Sequence, residues 1–489
     1  MSLSSKVLKS SILLLFMRVF MRGIGIFSML ALARLLSTED FGVVAIATSV
    51  VFLFDILSET GSQQYLIQKS KISDDDLNTC WTINLILKLI VWVLFVLLTP
   101  FIADFFESEA LVMPFYVISS VILLSGFFNP GIYLYQREFN FNPLVKMSIT
   151  EKLVSFFVTI LLAFLYQSYW AMIAGVVTTY TIKLVYSYKL HEFRPKWSLK
   201  NAKEQWDFSK WMLLRGVMGY TRAEFDTAFV SKTFGLPSVG GYNLMKNLSL
   251  IPAQDIIAPA TQPLLTSFSK VQNSKPDMIY QISLSLVIIS VVAFPIVSFL
   301  GFNDKLVVEV MFGEKWVEFS VILKYLAVLI ISFSWVSILN HALTSIGKVN
   351  LLFGYDFVSM LLLIGILLSL NYTDLHEFAF YRAGIGVLSA FLFMMFVFRL
   401  FSINLLKVLW LVLPFGLASL AAGWLSMLLV ESLGYNIYFE LIVGGIAFSL
   451  SYLIVFGAIL SAFKNNPEYS HVRNIIQREF EKVRAKVFT

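Results

Sequence analysis

The sequence predicts an all-α polytopic membrane protein: two six-span halves followed by a final helix pair, about 14 transmembrane helices in all. Three observations carry this. Hydrophobic residues make up 58% of the chain and charged ones only 14%, with a mean hydropathy of +0.78. A water-soluble globule has too little interior to hide so much apolar surface, so lipid must solvate most of it. Apolar runs of membrane length follow one another along all 489 residues, separated by short polar stretches, and basic residues collect in alternate stretches.

The N-terminus carries Lys6 and Lys9, then apolar sequence to Leu36, too long for a signal-peptide core and without an evident cleavage site. It is read as a retained first span. Spans are expected near 11–36, 41–62, 78–103, 110–130, 144–166, 169–190, 208–234, 239–267, 277–301, 317–345, 349–370, 375–400, 405–431 and 437–462. The second, fourth and eighth are the least apolar, which marks them as bent or cavity-facing. With the N-terminus inside, the inner loops hold Lys69, Lys71, Arg137, Lys189, Arg194, Lys196, Lys200, Lys203, Lys270, Lys275, Lys348 and Lys407. The outer loops hold mostly acids, such as Asp104, Glu107, Glu109, Asp374 and Glu377, with Lys305 and Lys315 as exceptions. The orientation expected is therefore N-in and C-in.

The widest polar gap, His191 to Asp207, separates the halves. The expected organisation is 1–196 (N-lobe), 197–402 (C-lobe), 403–462 (appended pair) and 463–489 (tail). A shift of about 198 positions matches Arg34 with Lys232, Gly42 with Gly240, Gln64 with Gln262 and Leu66 with Leu264, as a parallel repeat would. In the tail, Val472, Ile475, Ile476, Phe480, Val483 and Val487 recur at helical spacing, with Arg473, Arg478, Lys482, Arg484 and Lys486 around them. That pattern reads as an amphipathic helix on an anionic cytoplasmic leaflet.

Some chemistries are excluded. One cysteine, Cys80, allows no internal disulfide and no cysteine-based metal site. The four histidines, His191, His341, His376 and His471, are too scattered to suggest a metal site. The net charge of +6 is modest, and no nucleic-acid partner is expected.

The chain resembles the Wzx-type polysaccharide flippases, and among them the WzxC-like branch of the multidrug/oligosaccharidyl-lipid/polysaccharide exporter superfamily. The resemblance rests on LARLLSTEDFG (Leu32–Gly42), QREFNF (Gln136–Phe141), YWAMIAG (Tyr169–Gly175), FGLPSVGGYNLMKNL (Phe234–Leu248) and FGEKW (Phe312–Trp316). It extends from the first span to about the twelfth. It implies two pseudo-symmetric six-helix lobes around a central cavity, rocking between inward-open and outward-open states. It also implies, as cargo, an undecaprenyl-diphosphate-linked oligosaccharide crossing the bacterial inner membrane for O-antigen, capsule or exopolysaccharide assembly. A polysaccharide polymerase and a chain-length regulator are the protein partners it suggests, and no cofactor is implied beyond a coupling H⁺ or Na⁺.

The residues agree with that reading on independent grounds. An ionised side chain at a helix centre costs roughly 2.5–3.5 kcal/mol on insertion scales, so charges kept there usually face a polar cavity. Arg18 and Arg22, four residues apart, share one face of the first helix. Guanidinium groups stay ionised and offer paired donors to phosphate oxygens, so they suit a diphosphate. Arg215, Arg222 and Lys246 are candidates to complete that site from the second half, although Arg222 would equally meet Asp226 on its own helix. Arg34 reads as an interfacial anchor or lobe contact. A carboxylate in low dielectric can titrate near neutral pH and couple transport to protons. Asp55, Glu59, Glu151, Asp226 and Asp255 are the candidates, with Glu224 and Asp356 in other spans. Asp255 lies among Pro252, Pro259 and Pro263, where missing amide donors free backbone carbonyls for a cation site or a hinge. Ion pairing with the cations is the plainer reading for any one acid. Tyr133, Tyr135, Tyr220 and Tyr242 are able to stack on sugars, but interfacial placement is the preferred reading for most.

Two rival functions remain open at the level of sequence. A drug exporter of the same fold would favour an acidic, aromatic cavity. A membrane polymerase or glycosyltransferase would need a sizeable external loop or soluble catalytic domain, whereas the longest outer loop, about 301–317, is short and no nucleophile or nucleotide motif is present. The expectation is a transporter and not an enzyme.

Overall fold

The computed structural model describes residues 3–69, 71–434 and 436–487, and the regular structure there is entirely helical. It divides into two compact units, Met1–Asn243 and Leu244–Thr489. The first contains α1 (Leu3–Leu35), α2 (Thr38–Leu57), α3 (Ser62–Gln68), α4 (Asp74–Phe105), α5 (Val112–Gly126), α6 (Ile132–Arg137), α7 (Asn142–Tyr166), α8 (Trp170–Leu190) and most of α9 (Ala202–Ile251). The second begins with the end of α9 and a π-helical stretch, Pro252–Ile257. It continues through α10 (Ala258–Thr261), α11 (Pro263–Val271), α12 (Lys275–Phe302), α13 (Asp304–Phe312), α14 (Ser320–Ala327), α15 (Leu329–Ser345), α16 (Val349–Ser369), α17 (Leu375–Phe401), α18 (Leu405–Leu433), α19 (Ile437–Ala462) and α20 (Pro467–Val487).

Among the described residues, eleven helices are long and apolar enough to cross a membrane. The other three expected spans fall on α8 and on the two arms of α9 with its π-helical extension. α8 carries Lys183 and Lys189, the first arm Arg215, Arg222, Glu224, Asp226 and Lys232, and the second arm with its extension Lys246 and Asp255, and such charges lower hydropathy. The eighth expected span runs into a π-helical stretch at Pro252, and the second, an apolar helix of twenty residues, and the fourth face a cavity through Asp55, Glu59, Leu124 and Ser125.

The first hairpin turns at Ser37. Its hydroxyl accepts the Asp40 amide at 3.1 Å while the Asp40 carboxylate accepts the Ser37 amide at 2.9 Å, a reciprocal cap on α2. The other Asp40 oxygen accepts the Tyr169 amide at 2.8 Å and ties this turn to the start of α8. α9 turns in the same way at Gly235, where φ is +80° and only glycine is unstrained, just before Pro237. Its two arms fold back on each other. The Tyr242 hydroxyl donates to the Asp226 carboxylate at 2.9 Å, and a straight helix would hold residues sixteen apart at about 24 Å.

The two hairpins meet through their glycines. A β-carbon on Gly42 would overlap the Leu236 carbonyl oxygen, and one on Gly240 would overlap the Thr38 carbonyl oxygen. Gly42 and Gly240 are 198 positions apart, as are Thr38 and Leu236, and Ser37 and Gly235. The contact is thus reciprocal under the shift found in the sequence, with backbone pressed on backbone as small residues permit in lipid.

Polar segments close one end of the first unit. The extended stretch 191–201 is strapped to α4: the Lys196 amide donates to Asn78 Oδ1 at 2.7 Å and the Ser198 amide to Thr82 Oγ1 at 3.1 Å. Asn129 Nδ2 holds the Phe193 carbonyl at 2.8 Å, and Trp197 packs edge-on against Trp81. Arg137 donates to the Leu66 and Lys69 carbonyls, satisfying the C-terminal end of α3. Burial would push the Lys69 ammonium down, but bonds to Asp76 (2.8 Å), Glu204 (2.7 Å) and the Tyr65 hydroxyl (2.9 Å) hold it charged, above its ordinary range.

In the second unit, α12, α15 and α17 share an apolar core that includes fully buried Ile282, Leu286, Ile330 and Ile338. The final pair packs on α12 through small and polar groups. Ser298 donates to the Ser419 carbonyl at 2.6 Å, and Tyr452 to the Val291 carbonyl at 2.9 Å. α20 begins docked. Glu468, 1% exposed, faces Lys407 at 3.3 Å, and the Tyr469 hydroxyl reaches the Leu411 carbonyl at 2.8 Å. Ile475 and Ile476 are exposed, while the side chains of Phe480, Lys482, Val483, Arg484, Lys486 and Val487 lie outside the described residues.

Gly42→Ala or Gly240→Ala is expected to destabilise the protein by about 1–3 kcal/mol or more through overpacking. Gly219→Ala, where a β-carbon meets nothing within 4 Å, should be neutral or slightly stabilising. Thermal unfolding of the detergent-solubilised variants, followed by size-exclusion profile, checks the contrast.

Candidate functional site

The first unit holds a polar interior inside its membrane-length helices. Lys88, midway along α4 and 2% exposed, projects toward the end of α2. Its ammonium donates to the Asp55 carboxylate at 2.6 Å, and the Ser125 hydroxyl donates to the same carboxylate oxygen at 3.1 Å. Asn84 Nδ2 approaches the Ser125 and Gly126 carbonyls at the frayed end of α5. Geometry this short is what a buried pair needs to offset the desolvation of both ions.

Beside that pair lies a cavity of about 270 Å³. Asp55, Glu59, Lys88, Asn84 and Lys183 supply charge and hydrogen-bonding capacity, and Trp81, Phe128, Tyr133 and Tyr180 supply aromatic surface. The Lys183 ammonium sits 5.4 Å from the centre of the Phe128 ring.

A second cluster gathers where α1, α7 and α8 pack. Arg22 is half-buried on α1, and Lys152 on α7 lies within its electrostatic reach. Gly25, almost one turn beyond Arg22, leaves room for the Lys152 ammonium, 3.8 Å from where a β-carbon would stand. Glu151 is flanked by Lys152 and Lys183, and Tyr180 lies within reach of Asp55, Glu59 and Glu151, so the two clusters adjoin along α8.

The structure thus brings together Arg22, Asp55, Glu59 and Glu151 out of the residues expected from sequence. Arg18 is exposed on α1 among exposed Leu15, Phe16 and Val19. The side chain of Arg215 lies outside the described residues, and Arg222 is half-buried on the first arm of α9. Asp226, 1% exposed, holds the hairpin through Tyr242. Glu224 accepts the Ser49 hydroxyl at 3.0 Å. Lys246 and Asp255 are half-buried in the second unit, Asp255 within the π-helical turn, a geometry frequent at functional sites. The Tyr220 and Tyr135 hydroxyls donate to the Ser49 and Leu190 carbonyls, so both tyrosines have structural partners, whereas Tyr133 lines the cavity.

Lys88, Lys152 and Lys183 were not singled out in the sequence. For Lys88 and Lys183 the signal was present, since each is a lone ammonium among largely apolar residues, the same criterion that selects Arg18 and Arg22, whereas Lys152 is masked by its neighbour Glu151. The second unit adds an apolar groove of about 330 Å³ lined by Ile251, Pro252, Pro295, Phe299, Leu300 and Phe448.

Membrane-length helices in both units, with charges held inside the spans, define a multi-pass membrane protein with a polar interior. The solved structures of that fold agree. The lipid II flippase MurJ in an inward closed conformation matches with a TM-score of 0.74 at 16% identity, covering 93% of this chain and 99% of that one. An inward-facing multidrug-resistance MATE transporter of the MOP superfamily matches at 0.53 and 13% identity, covering 79% and 98%. The chain belongs to the polysaccharide biosynthesis protein family, whose profile matches residues 31–321. Relatives include an uncharacterized membrane protein in the cps region of Klebsiella pneumoniae, 26% identical across 75% of this chain and 77% of that protein. The lipopolysaccharide biosynthesis protein WzxC of Escherichia coli (strain K12) is 24% identical across 67% and 68%. The teichuronic acid biosynthesis protein TuaB of Bacillus subtilis (strain 168) is 24% identical across 63% and 64%. The family and these relatives make the chain a multi-pass membrane protein of polysaccharide biosynthesis.

Lys88→Met should leave Asp55 as an uncompensated charge and cost about 3–5 kcal/mol, whereas Lys88→Met/Asp55→Asn should recover most of the loss. Melting temperatures of the single and double variants test this.

Proposed function

We propose that this protein is a flippase for an undecaprenyl-diphosphate-linked oligosaccharide, carried across the bacterial inner membrane for O-antigen, capsule or exopolysaccharide assembly. The observation that carries the reading is the run of cations inside membrane spans: Arg22 within reach of Lys152, and Lys152 and Lys183 both within reach of the Glu151 carboxylate. Cations crowded together in low dielectric favour an anionic cargo. A lipid-linked sugar needs a polar route for its diphosphate and glycan only; its prenyl chain can stay in lipid or in an apolar groove such as that beside Phe299 and Phe448. The names of WzxC and TuaB, both proteins of cell-surface polysaccharide biosynthesis, point the same way.

In this proposal Arg18 and Arg22 bind the diphosphate, and Arg215, Arg222 or Lys246 completes the site from the second half. The moving bodies are 1–196 and 197–402, with 403–462 as a lipid-facing appendage and 463–489 as a cytoplasmic tail, N-in and C-in. Alternating access is driven by H⁺ or Na⁺ through carboxylates among Asp55, Glu59, Glu151, Asp226 and Asp255. Asp55 is the weakest of these, because Lys88 already holds it at 2.6 Å. A cation exporter would want an acidic aromatic chamber. The cavity at Tyr133 and Tyr180 has the aromatics, but its carboxylates share it with Lys88 and Lys183.

In cells that depend on this chain, Arg22→Ala should abolish surface glycan while lipid-linked units accumulate at the inner leaflet, and Arg22→Lys should recover part of the export. Wild-type export by a well-folded Arg18→Ala/Arg22→Ala variant would remove the site assignment. Collapse of the proton gradient, or removal of Na⁺, should slow export; indifference to both would remove the coupling role of the acids.

A further inference from the structure

Lys152 is half-buried on α7 and, among the described residues, joins no ion pair within 4.0 Å. It lies ten residues into α7, roughly 15 Å along a membrane-spanning helix. Its ammonium lies near α1 at Gly25, close enough to Arg22 for the two positive charges to repel. Glu151 is the counter-charge within reach, and its buried Oε2 has no hydrogen-bond partner. Among the described residues, none of Glu151, Lys152 and Lys183 joins an ion pair within 4.0 Å, whereas Lys88 and Asp55 close at 2.6 Å. A network selected for stability would be closed in the same way. Two cations side by side with an under-bonded carboxylate are stabilised when a further anion enters.

We propose that Lys152 joins Arg22 in gripping the phosphate oxygens of the cargo, and that Glu151 is the resident counter-ion which the phosphate displaces. This rests on the reading of the cargo as a diphosphate lipid. Glu151 faces Lys152 on its own helix, Tyr180 and Lys183 from α8, and lies beside the Arg22 region of α1. From α6, Arg137 is engaged with the Leu66 and Lys69 carbonyls. When Glu151 is ionised it neutralises part of the site and competes with phosphate. When it is protonated the cations are released for the cargo. Anion affinity and proton occupancy are thereby linked through one carboxylate.

The test uses the full chain in nanodiscs, with undecaprenyl diphosphate as probe and undecaprenol as its uncharged match. Lys152→Met should weaken diphosphate binding by about tenfold, and Lys152→Arg should keep it near wild type. Glu151→Gln should tighten binding by about tenfold and flatten the loss of affinity that the wild type shows as pH rises. Unchanged affinity in Lys152→Met, or Glu151→Gln binding as weakly as Lys152→Met, would overturn the proposal. Should Lys152→Met fail to fold, the Lys152→Arg and Glu151→Gln measurements decide it. If Arg22→Ala loses binding while Lys152→Met keeps it, only this inference falls. If the wild type prefers neither lipid, the cargo reading falls first.

Discussion

An ionised group inside the hydrocarbon layer has to be answered by another charge or by water, and that requirement organises the first unit. Lys88 and Asp55 answer each other and fasten α4 to α2, with Ser125 of α5 drawn in as a third member. Arg22, Lys152, Lys183 and Glu151 answer each other only in part. The two arrangements lie on neighbouring helices, share Tyr180 between them, and differ in how tightly the charges close. The first closes as a short ion pair, whereas among the described residues Glu151, Lys152 and Lys183 join no ion pair within 4.0 Å.

The all-helical membrane architecture and the hairpin turns were legible in the sequence because hydropathy and glycine placement are local signals. The break expected between residues 234 and 239 falls at Gly235, and the shift of 198 reappears as physical contact. The neighbourhood of Arg22 was not legible. Lys152 and Lys183 come from helices far along the chain, and nothing local in α1 announces which face of α7 or α8 will meet it. Nor does sequence reveal that Asp55 is already taken by Lys88, since 33 positions separate them. The positively charged tail was readable as a helix, and the structure adds the Glu468 and Tyr469 anchors at its root.

The segments that carry the family resemblance do structural work. Ser37 and Asp40 build a turn, Arg137 closes α3, and Gly175 lets α8 lie against Thr159 of α7. Gly235 and Gly240 shape and seat the second hairpin, and Trp316 is fully buried after Gly313, where φ is +102°. Such motifs identify the architecture whatever the cargo. The groups lining the cavity lie outside them, which is why family membership is easier to read than the identity of the sugar.

The reciprocal seat of Gly42 on Leu236 and Gly240 on Thr38 has a consequence for ancestry. Were each half a separate polypeptide, this crossing would lie on the dyad of a homodimer, and one codon would furnish both of its small residues. Any enlargement would then strike the axis twice at once. In a single chain the two codons vary independently, so an enlargement strikes one seat and leaves the other intact. Both hairpins are thereby held to the same close backbone approach, although separate codons encode its two small residues.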